Sequence, residues 1–444
     1  MYIKKIVIKN IRCFKRLRID CSSRKGLKKW TLILGDNGVG KTTILRCIAM
    51  TLMDATNASG LLSELYGELV RGQKDKPDKA TIRIEFEAER DESTIQWIET
   101  KFERTNSGDT KVIQNTSFGS TKEFPWNNIF VTGYGAARRA FGTMDYSEYN
   151  SIDAVYTLFK YDNPLQNPEL ILRRTKDETG IKIEEILSWF ENILMLPEGS
   201  IKLEYGGIKV SGPWGKFMPL GSIGDGHQST LAWLSDMLGW AFFYNKDLFK
   251  EDRNKISGIV LLDEIEQHLH PSWQKLIIKL LSDQFPNLQF IATTHSPLCA
   301  IGAANLPDDK CSLVLLKQED DHVTGRDKLL PPHGLRADQV LTSYLFGLDT
   351  TRSGDIAQQI ERYSKLLSKK NLTQKEQGEL SGLRSKLNNV LGSAETNLQR
   401  MVEKAVHESL EKLVDNLPNQ ELLPQEVVDF EVKRELKDIF GKNA

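Results

Sequence analysis

Residues 35–42 read GDNGVGKT and lie between two segments of different pattern. The apolar run before them, Trp30 to Leu34, predicts a buried strand, and the amphipathic pattern after them predicts a helix that begins near Thr43. Glycines at these spacings let successive backbone N–H groups turn toward phosphate oxygens. A strand, a glycine-rich loop and a helix in this order therefore predict a phosphate loop, and hence a bound nucleotide.

Individual residues of this phosphate loop have separate expected tasks. Lys41 supplies a positive charge at the β- and γ-phosphates, and the Thr42 hydroxyl can bind Mg²⁺. The helix behind the loop adds the positive end of its dipole. We therefore expect ATP and Mg²⁺ as cofactors, with a nucleotide-binding set of Asn37, Gly38, Gly40, Lys41, Thr42 and Thr43. A glycine turn of purely structural role is the alternative.

The composition describes an ordinary globular protein. The chain has 444 residues, a formal net charge of −1, 27% charged residues and 40% hydrophobic residues. That length allows one large domain with lobes or two domains, and the balanced charge argues against a disordered or nucleic-acid-coating protein. The sequence contains no apolar run long enough to span a bilayer. We expect a cytoplasmic protein with no membrane partner.

The cysteines agree with a reducing compartment. None of them has the C-x-x-C spacing of a zinc site, and their scattered positions do not suggest a disulfide framework. The cysteines are Cys13, Cys21, Cys47, Cys299 and Cys311.

Strand and helix patterns alternate along most of the chain. Clean alternation over residues 81–87 predicts a half-buried strand, and residues 129–132 predict another. A continuous apolar strand at 258–262 is followed by a helix from about Ser272 and by a second buried strand at 288–292. This order predicts parallel βαβ geometry and an α/β fold, with a mixed or parallel sheet and flanking helices.

Two further regions have helical spacing. Residues 141–200 are polar and predict a helical insertion. Its expected packing stripe consists of Ile183, Ile186, Leu187, Phe190 and Leu194. Residues 351–444 are rich in lysine and glutamate and predict a helical hairpin and tail that serve as an interaction region, in which Thr373 and Glu376 fit a capping box.

Two acidic residues and a histidine follow the two buried strands where each strand ends. Asp263 and Glu264 come directly after strand 258–262, and His295 follows strand 288–292. Because the carboxyl ends of parallel strands meet at one sheet edge, we expect these side chains near the phosphate loop. Asp263 would bind Mg²⁺, Glu264 would act as the base, and His295 would bind the γ-phosphate or the attacking water. The alternatives are an ordinary acidic strand end and a structural histidine.

The N-terminal segment is strongly basic. Between Lys4 and Lys29 there are eleven basic residues and one acidic residue, Asp20. This bias indicates either a solvated sheet face or a surface for the phosphate backbone of a nucleic acid. The sequence leaves both open.

The phosphate loop, LLDE at residues 261–264 and THS at residues 294–296 together resemble the ABC-type ATPases of the SMC, RecF and OLD branch. The opening IKNIRCF at residues 8–14 resembles the "I-x-N-x-R-x-F" segment of that branch, which implies a nucleotide contact by Arg12. The resemblance covers about residues 1–350. It implies an ABC-type P-loop ATPase head and an Mg-dependent ATPase activity.

In that branch two nucleotide domains enclose ATP head to tail, and each contributes a signature segment to the other's γ-phosphate. The matching stretch here is IGDGHQ at residues 223–228. The resemblance thus implies a homodimer or higher homo-oligomer in which Gly226 acts in trans. The stretch departs from the usual "L-S-x-G-x-Q" form in having Gly224 at the serine position, which leaves backbone donors at the helix N-terminus to make the contact. A glycine-rich turn before a helix is the alternative.

The magnesium-sensing glutamine of the branch has no match here. Residues 133–139 read GYGAARR and occupy about the right position without a glutamine. Arg138 or Arg139 would bind phosphate instead, or would form an ordinary surface pair. His268 and His270 invite a metal-site interpretation, which we reject because no further ligand cluster is visible.

Residues 336–348 resemble a segment of the ATPase subunits of two kinds of bacterial anti-phage system, Septu and the retron-associated pairs. In such pairs a second protein, usually an HNH nuclease, does the cutting. After residue 300 this sequence shows no convincing nuclease carboxylate cluster, since Asp320 and Asp321 lie in a polar stretch that reads as a loop. The leading interpretation is a slow Mg-ATPase that dimerises around ATP and regulates or delivers a separately encoded nuclease.

Two other functions compete with this interpretation. A RecF-like DNA-repair ATPase would bind DNA directly through the basic N-terminal surface. A transporter's nucleotide subunit is disfavoured by the missing glutamine loop, the atypical signature segment and the insertion at 141–200.

Overall fold

The structure of this chain is a computed structural model. It describes residues 1–23, 26–65, 68–72, 79–87, 96–105, 109–117, 124, 126–138, 146–367, 369 and 372–391. Contacts divide the chain into two compact units, Met1–Leu348 and Asp349–Ala444. The predicted tail after residue 391 lies outside the described residues.

The strands are numbered in chain order, and all of them belong to the first unit. Strands β1 to β16 span Tyr2–Ile11, Phe14–Asp20, Ser22–Ser23, Gly26–Leu27, Trp30–Gly35, Lys79–Glu87, Gln96–Arg104, Thr110–Thr116, Val131–Tyr134, Ile201–Glu204, Gly207–Gly212, Gly215–Pro219, Gly258–Leu262, Leu288–Thr294, Cys311–Glu319 and His322–Leu329.

The helices are numbered in the same way, and the last two belong to the second unit. Helices α1 to α12 span Lys41–Thr51, Ala55–Ser63, Pro168–Thr179, Ile183–Ile193, Asp225–Tyr244, Lys246–Asp252, Pro271–Gln274, Ile277–Gln284, Pro297–Ala303, Ala337–Thr342, Gly354–Leu367 and Gln374–Leu391. Short 3-10 helices lie at Trp126–Asn128, Asp153–Leu158, Leu220–Ser222 and Arg253–Lys255.

A six-stranded sheet carries the phosphate loop. Its strand order is β16-β15-β5-β14-β13-β9, in which β16 runs antiparallel to β15 and every other neighbouring pair is parallel. Strands β13 and β14 are buried along their whole length, as expected of parallel strands covered on both faces. The predicted α/β class with parallel βαβ geometry is confirmed.

A second, five-stranded sheet is antiparallel, with the order β2-β1-β6-β7-β8. Strand β6 alternates buried and half-buried residues, so one face of this sheet packs on a core. Helix α1 lies in that core, which also contains Ile33, Ile259 and Ile291 from the six-stranded sheet. Leu32 and Leu262 belong to a second core with α5, so the six-stranded sheet is covered on both faces.

Two predicted boundaries differ from the structure. The strand predicted at 129–132 begins at Val131, because the Ile129 N–H bonds to Trp126 O in the preceding 3-10 turn. The helix predicted from Ser272 is divided into α7 and α8, because the Leu276 N–H closes a tight turn on Trp273 O.

The helical region within residues 141–200 packs as its spacing predicts. Helix α4 has acidic residues in its first turn and an apolar stripe along one side. The buried residues of the predicted stripe are Ile183, Ile186, Leu187, Phe190 and Leu194. These side chains join the core that contains α5.

The second unit contains the contacting helices α11 and α12. Thr373 N donates to Glu376 Oε2 at 3.0 Å, and Glu376 N donates to Thr373 Oγ1 at 3.4 Å, which confirms the predicted capping box. Arg362 forms a two-pronged ion pair with Glu379 between the two helices. Throughout the described part of the chain, no helix combines the length and apolar character needed to cross a membrane.

Candidate nucleotide-binding site

The phosphate loop joins β5 to α1 and turns on glycines in the left-handed region. Gly38 and Gly40 have φ angles of 81° and 89°. A Cβ at Gly40 would lie 2.6 Å from Cys13 Sγ, so both the conformation and the space require glycine there. Asn37 is exposed in the turn, whereas Thr43 is buried in the first turn of α1.

Lys41 is the first residue of α1, and its side chain lies over the loop. Its Nζ donates to Gly35 O at 2.8 Å and to Asp36 O at 2.9 Å. The same Nζ lies 3.4 Å from His295 Nδ1. Burial lowers the pKa of Lys41, and the negative charge of Asp263 opposes that effect. The Lys41 amine therefore lies between the phosphate loop and the carboxyl end of β14.

Asp263 ties the phosphate loop to the neighbouring strand. Its Oδ2 accepts a hydrogen bond from Thr42 Oγ1 at 2.7 Å, and its Oδ1 accepts one from Thr293 Oγ1 at 2.6 Å. The Asp263 side chain is buried, and its residue is only 2% exposed. Hydroxyl and carboxylate oxygens are the ligands that Mg²⁺ prefers, so Thr42 and Asp263 fit a magnesium site.

Glu264 follows β13 with a φ of 47°, in the left-handed region. Its N–H donates to Thr293 Oγ1 at 2.8 Å. Burial raises the pKa of Glu264, and the carboxylates of Asp263 and Glu266 raise it further. A carboxylate with raised proton affinity is better suited to accept a proton from water.

His295 directly follows β14 at the same edge of the sheet. Its backbone N–H donates to Glu266 Oε1 at 2.6 Å, and its ring faces Lys41. The next residue, Ser296, caps α9 and fixes the direction of the chain after the histidine. The structure therefore brings the predicted histidine to the phosphate loop, although His295 and Lys41 are 254 positions apart.

The signature segment at residues 223–228 packs against the loop that follows Glu264. Gly224 is the N-cap of α5. A Cβ at Gly226 would lie 2.3 Å from His268 O, so the two backbones are in close contact. Beside this contact is a cleft of about 260 Å³, whose lining residues are Arg138, Asp225, Gln228, Ser229 and His268.

Arg12 lies beside α1. Its φ is 43°, and its Nε donates to Glu68 O at 3.3 Å. Burial lowers the pKa of Arg12, and the nearby positive charge of Arg46 on α1 lowers it further. The nucleotide contact that the family resemblance implies for Arg12 stays a prediction.

Arg138 does not take the surface role that was one of its two predicted alternatives. It is only 3% exposed, so it does not belong to a surface pair. Its Nη2 donates to Asp263 O and, at 2.8 Å, to Glu264 O, while its Nε donates to Gly135 O at 3.0 Å. Its guanidinium binds backbone carbonyls in this structure, and the phosphate contact stays a prediction. Arg139 lies outside the described residues.

The histidine pair after Glu264 includes a helix cap. His270 is the N-cap of α7, and its Nδ1 lies 2.8 Å from Ser272 Oγ. His268 has a φ of 64° and contributes the carbonyl oxygen that contacts the signature segment. Across the residues that the structure describes, no three His, Cys, Asp or Glu side chains are grouped to hold a metal ion.

The sequence does not predict two residues of this site. Thr293 bridges the carboxylate of Asp263 and the backbone of Glu264, and it directly precedes the THS stretch at residues 294–296. Glu266 fixes the backbone of His295 from two positions after Glu264. A hydroxyl at the end of the strand beside the Asp-Glu pair is the signal that could identify Thr293.

Two protein-family models match this chain. One is described as "AAA domain" and matches residues 5–129, which contain the phosphate loop. The other is described as "AAA domain, putative AbiEii toxin, Type IV TA system" and matches residues 151–300, which contain Asp263, Glu264 and His295. The chain is thus similar to AAA domains over two separate stretches, each shorter than half of its length.

The chain is also similar to curated proteins of Septu and retron systems. It is 30% identical over 392 residues to "Septu protein PtuA" of Bacillus mycoides, which covers 87% of this chain and 50% of that protein. It is 43% identical over 77 residues to "Retron Vc95 probable ATPase" of Vibrio cholerae, 17% of this chain and 15% of that protein. It is 66% identical over 41 residues to "Retron Ec83 probable ATPase" of Escherichia coli, which covers 9% of this chain and 8% of that protein.

These similarities confirm the predicted resemblance to the Septu and retron ATPases. The chain spans about half the length, or less, of the curated relatives it matches. Among solved structures, the SMC head domain from Thermotoga maritima is 16% identical to this chain, with a TM-score of 0.41. The matched region covers 73% of this chain and 98% of the SMC head domain. At that TM-score the likeness supports no conclusion about function.

Proposed function

We propose that this chain binds and hydrolyses Mg-ATP as a subunit of a bacterial anti-phage defence complex. The observation that carries the proposal is the hydrogen-bonded series from Thr42 through Asp263 to Thr293, with Lys41 beside His295. This series joins the phosphate loop to the carboxyl ends of two parallel strands, where the catalytic groups of such folds lie. Similarity to a Septu protein over 87% of this chain supports the defence role.

Each side chain has a separate role in the proposed reaction. Mg²⁺, when bound by Thr42 and Asp263, neutralises charge on the β- and γ-phosphates. Lys41 exchanges its carbonyl contacts for phosphate oxygens as ATP enters. Glu264 accepts a proton from the attacking water, and His295 holds the γ-phosphate or that water.

The same proposal includes a homodimer, or a higher homo-oligomer, formed around ATP. A Cβ placed on Gly224 meets no heavy atom within 4 Å, so the N-terminus of α5 is open to an approaching molecule. Backbone N–H groups at a helix N-terminus bind phosphate, so the Gly226 segment can act on a second copy's nucleotide. Hydrolysis is slow in this scheme because binding energy maintains the interface.

The proposed partner is a separately encoded nuclease of the HNH type, which the complex regulates or delivers. This part depends on the resemblance of residues 336–348 to Septu and retron ATPase subunits. Co-expression of this chain with the protein encoded beside it, followed by purification through a tag on one of them, tests the partnership. Recovery of a stoichiometric nuclease supports it, and recovery of this chain alone contradicts it.

The ATPase itself is tested with two substitutions and a matched control. Lys41→Ala is expected to abolish ATP binding, whereas Lys279→Ala, at a surface lysine paired with Asp283, is expected to leave it unchanged. Glu264→Gln is expected to bind ATP and to hydrolyse it at least about a hundredfold more slowly. Tight ATP binding by Lys41→Ala, or wild-type turnover by Glu264→Gln, would contradict the site.

The dimer is tested by light scattering in the Glu264→Gln background. Addition of Mg-ATP is expected to double the mass of the Glu264→Gln protein. Gly224→Trp adds bulk at a position with open space in the single chain, so its fold is preserved while docking of a second copy is blocked. An unchanged dimer in the double variant would exclude the signature segment from the interface.

A second candidate function is direct DNA binding, as in RecF-like repair ATPases. Lys9 lies opposite Arg16 across β1 and β2, and both side chains are exposed. Like charges opposite each other on a sheet repel, and a phosphate backbone would relieve that repulsion. Lys9→Glu with Arg16→Glu is expected to abolish salt-dependent DNA binding if it exists, whereas Lys255→Glu with Lys279→Glu serves as the control. No difference between the pairs would reject this function.

A further inference from the structure

Arg138 is a buried cation that binds the backbone on both sides of the Glu264 α-carbon. Its Nη2 donates both to Asp263 O and to Glu264 O, the two carbonyls that flank the φ and ψ angles of Glu264. Glu264 itself has a φ of 47°, a left-handed conformation that is strained for a residue other than glycine. A local conformation of this kind persists when surrounding contacts hold it, and Arg138 provides two of them.

The position of Arg138 is itself well defined. Its Nε donates to Gly135 O at 3.0 Å, and its guanidinium lies 5.8 Å from the centroid of the Trp233 ring on α5. Gly135 is in turn packed closely, because a Cβ there would lie 2.3 Å from Thr157 O. The guanidinium therefore extends from a rigid strand end to the backbone around Glu264.

The charge of Arg138 suits this task. A guanidinium stays protonated in proteins and offers five N–H donors in a planar group, so it can bind several carbonyl oxygens at once. The negative charges of Asp263, Glu266 and Glu264 act on this guanidinium. A buried guanidinium beside three carboxylates also reduces their mutual repulsion.

We propose that Arg138 is a positioning residue for hydrolysis, which holds Glu264 in its left-handed backbone conformation and thereby fixes the direction of the Glu264 side chain. The inference rests on the proposed role of Glu264 as the base. A misplaced base lowers the rate of the chemical step while ATP binding by the phosphate loop is retained. The competing explanation is that Arg138 only stabilises the fold.

The test measures kcat, the Kd for ATP and thermal stability in matched variants. Arg138→Met keeps the length and apolar stem of the side chain and removes its donors. Arg174→Met is the control, since Arg174 also donates to a backbone carbonyl, Tyr146 O, and lies 5.6 Å from the ring of Phe243, away from the site. We expect Arg138→Met to lower kcat by about a hundredfold with the Kd for ATP unchanged, and Arg174→Met to leave both unchanged.

A second comparison separates positioning from general stabilisation. If Arg138 acts through Glu264, Arg138→Met causes no further loss in the slow hydrolysis that remains in Glu264→Gln. An equal loss in both backgrounds would show that Arg138 acts elsewhere and would overturn the inference. So would a kcat for Arg138→Met within twofold of the Arg174→Met value.

Arg138→Lys keeps the experiment decisive if Arg138→Met does not fold. A lysine retains the positive charge but lacks the planar guanidinium that donates to both carbonyl oxygens. We therefore expect a kcat between those of the wild type and Arg138→Met, with ATP binding retained. A wild-type kcat in folded Arg138→Lys would overturn the inference. Wild-type hydrolysis by Glu264→Gln would instead refute the proposed role of Glu264 as the base. That result comes from a protein with Arg138 unchanged, so it is distinguishable from a failure of the Arg138 inference.

Discussion

Thr42 Oγ1 donates a 2.7 Å hydrogen bond to Asp263 Oδ2 across 221 positions of sequence. This bond joins the last residue of the phosphate loop to the carboxylate at the end of β13. The second oxygen of Asp263 is engaged by Thr293, so the carboxylate has little freedom to rotate. Both proposed magnesium ligands are therefore in place relative to each other.

The first prediction concerns this pair of ligands. Thr42→Ala removes one oxygen donor, so the Mg²⁺ concentration for half-maximal ATPase rate is expected to rise by at least about tenfold. Thr42→Ser keeps the hydroxyl and is expected to behave like the wild type. Magnesium titrations of both variants at saturating ATP provide the measurement, and an identical Mg²⁺ requirement in both would remove Thr42 from the metal site.

The second prediction concerns the signature segment. Gly226→Ala places a methyl group 2.3 Å from His268 O, so the backbone after Glu264 must shift. We expect a fall in kcat of about tenfold or more, with ATP affinity retained. Gly221→Ala, in the preceding 3-10 helix, has open space around its Cβ and a φ outside the left-handed region, so its kcat is expected to stay at the wild-type value. Equal rates for the two alanine variants would contradict the close contact.

The third prediction concerns pH. Burial raises the pKa of Asp236 to about 6, despite its hydrogen bonds from Tyr134 OH and Gln166 N. An unfolded aspartate has a pKa of about 3.9, so the folded state holds the proton more tightly. This contribution is fully present below about pH 4 and is lost as the pH rises through about 6, by up to about 3 kcal/mol.

Asp236→Asn removes that titration. Relative to the wild type, its free energy of unfolding is therefore expected to increase between pH 4.5 and pH 7.5. Urea unfolding of both proteins at the two pH values provides the measurement. A difference between the two proteins that stays constant with pH would show that Asp236 does not titrate in this range.

The fourth prediction concerns the connection between the sheets. Gln289 on β14 is fully buried, accepts a hydrogen bond from Ile3 N at 2.7 Å and donates one to Ile3 O at 2.8 Å. Gln289→Leu leaves two buried backbone groups unpaired and is expected to cost about 2–4 kcal/mol of unfolding free energy. Gln318→Leu, at an exposed residue with one bond to Asp320 O, is the control, with an expected cost below about 0.5 kcal/mol. Equal costs would refute the role of Gln289.

The sequence predicts much of this site because its parts are local motifs on parallel strands. Lys41, Asp263 and His295 each stand at a strand end or a helix start, and parallel topology brings such ends to one edge. The order of the motifs was therefore enough to predict their convergence. The trans contact of Gly226 stays a prediction, since it concerns a second copy.

Arg138 could not be assigned from sequence for a physical reason. Its partners are the carbonyl oxygens of Gly135, Asp263 and Glu264, and every residue type carries a carbonyl. No pattern of side chains records such a contact. The predicted start of β9 at residue 129 was wrong for a similar reason. The Ile129 N–H bonds to a carbonyl of the preceding 3-10 turn, and the strand begins only at Val131.

The contact between Gly226 and His268 also constrains how this protein can diverge. While the chain after Glu264 keeps its path, position 226 has no room for a side chain, because the nearest carbonyl oxygen would lie 2.3 Å from its Cβ. The signature segment and the Asp-Glu loop can therefore change only together. A lineage that altered the rate of its ATPase through one of them would have to accumulate matched substitutions in the other.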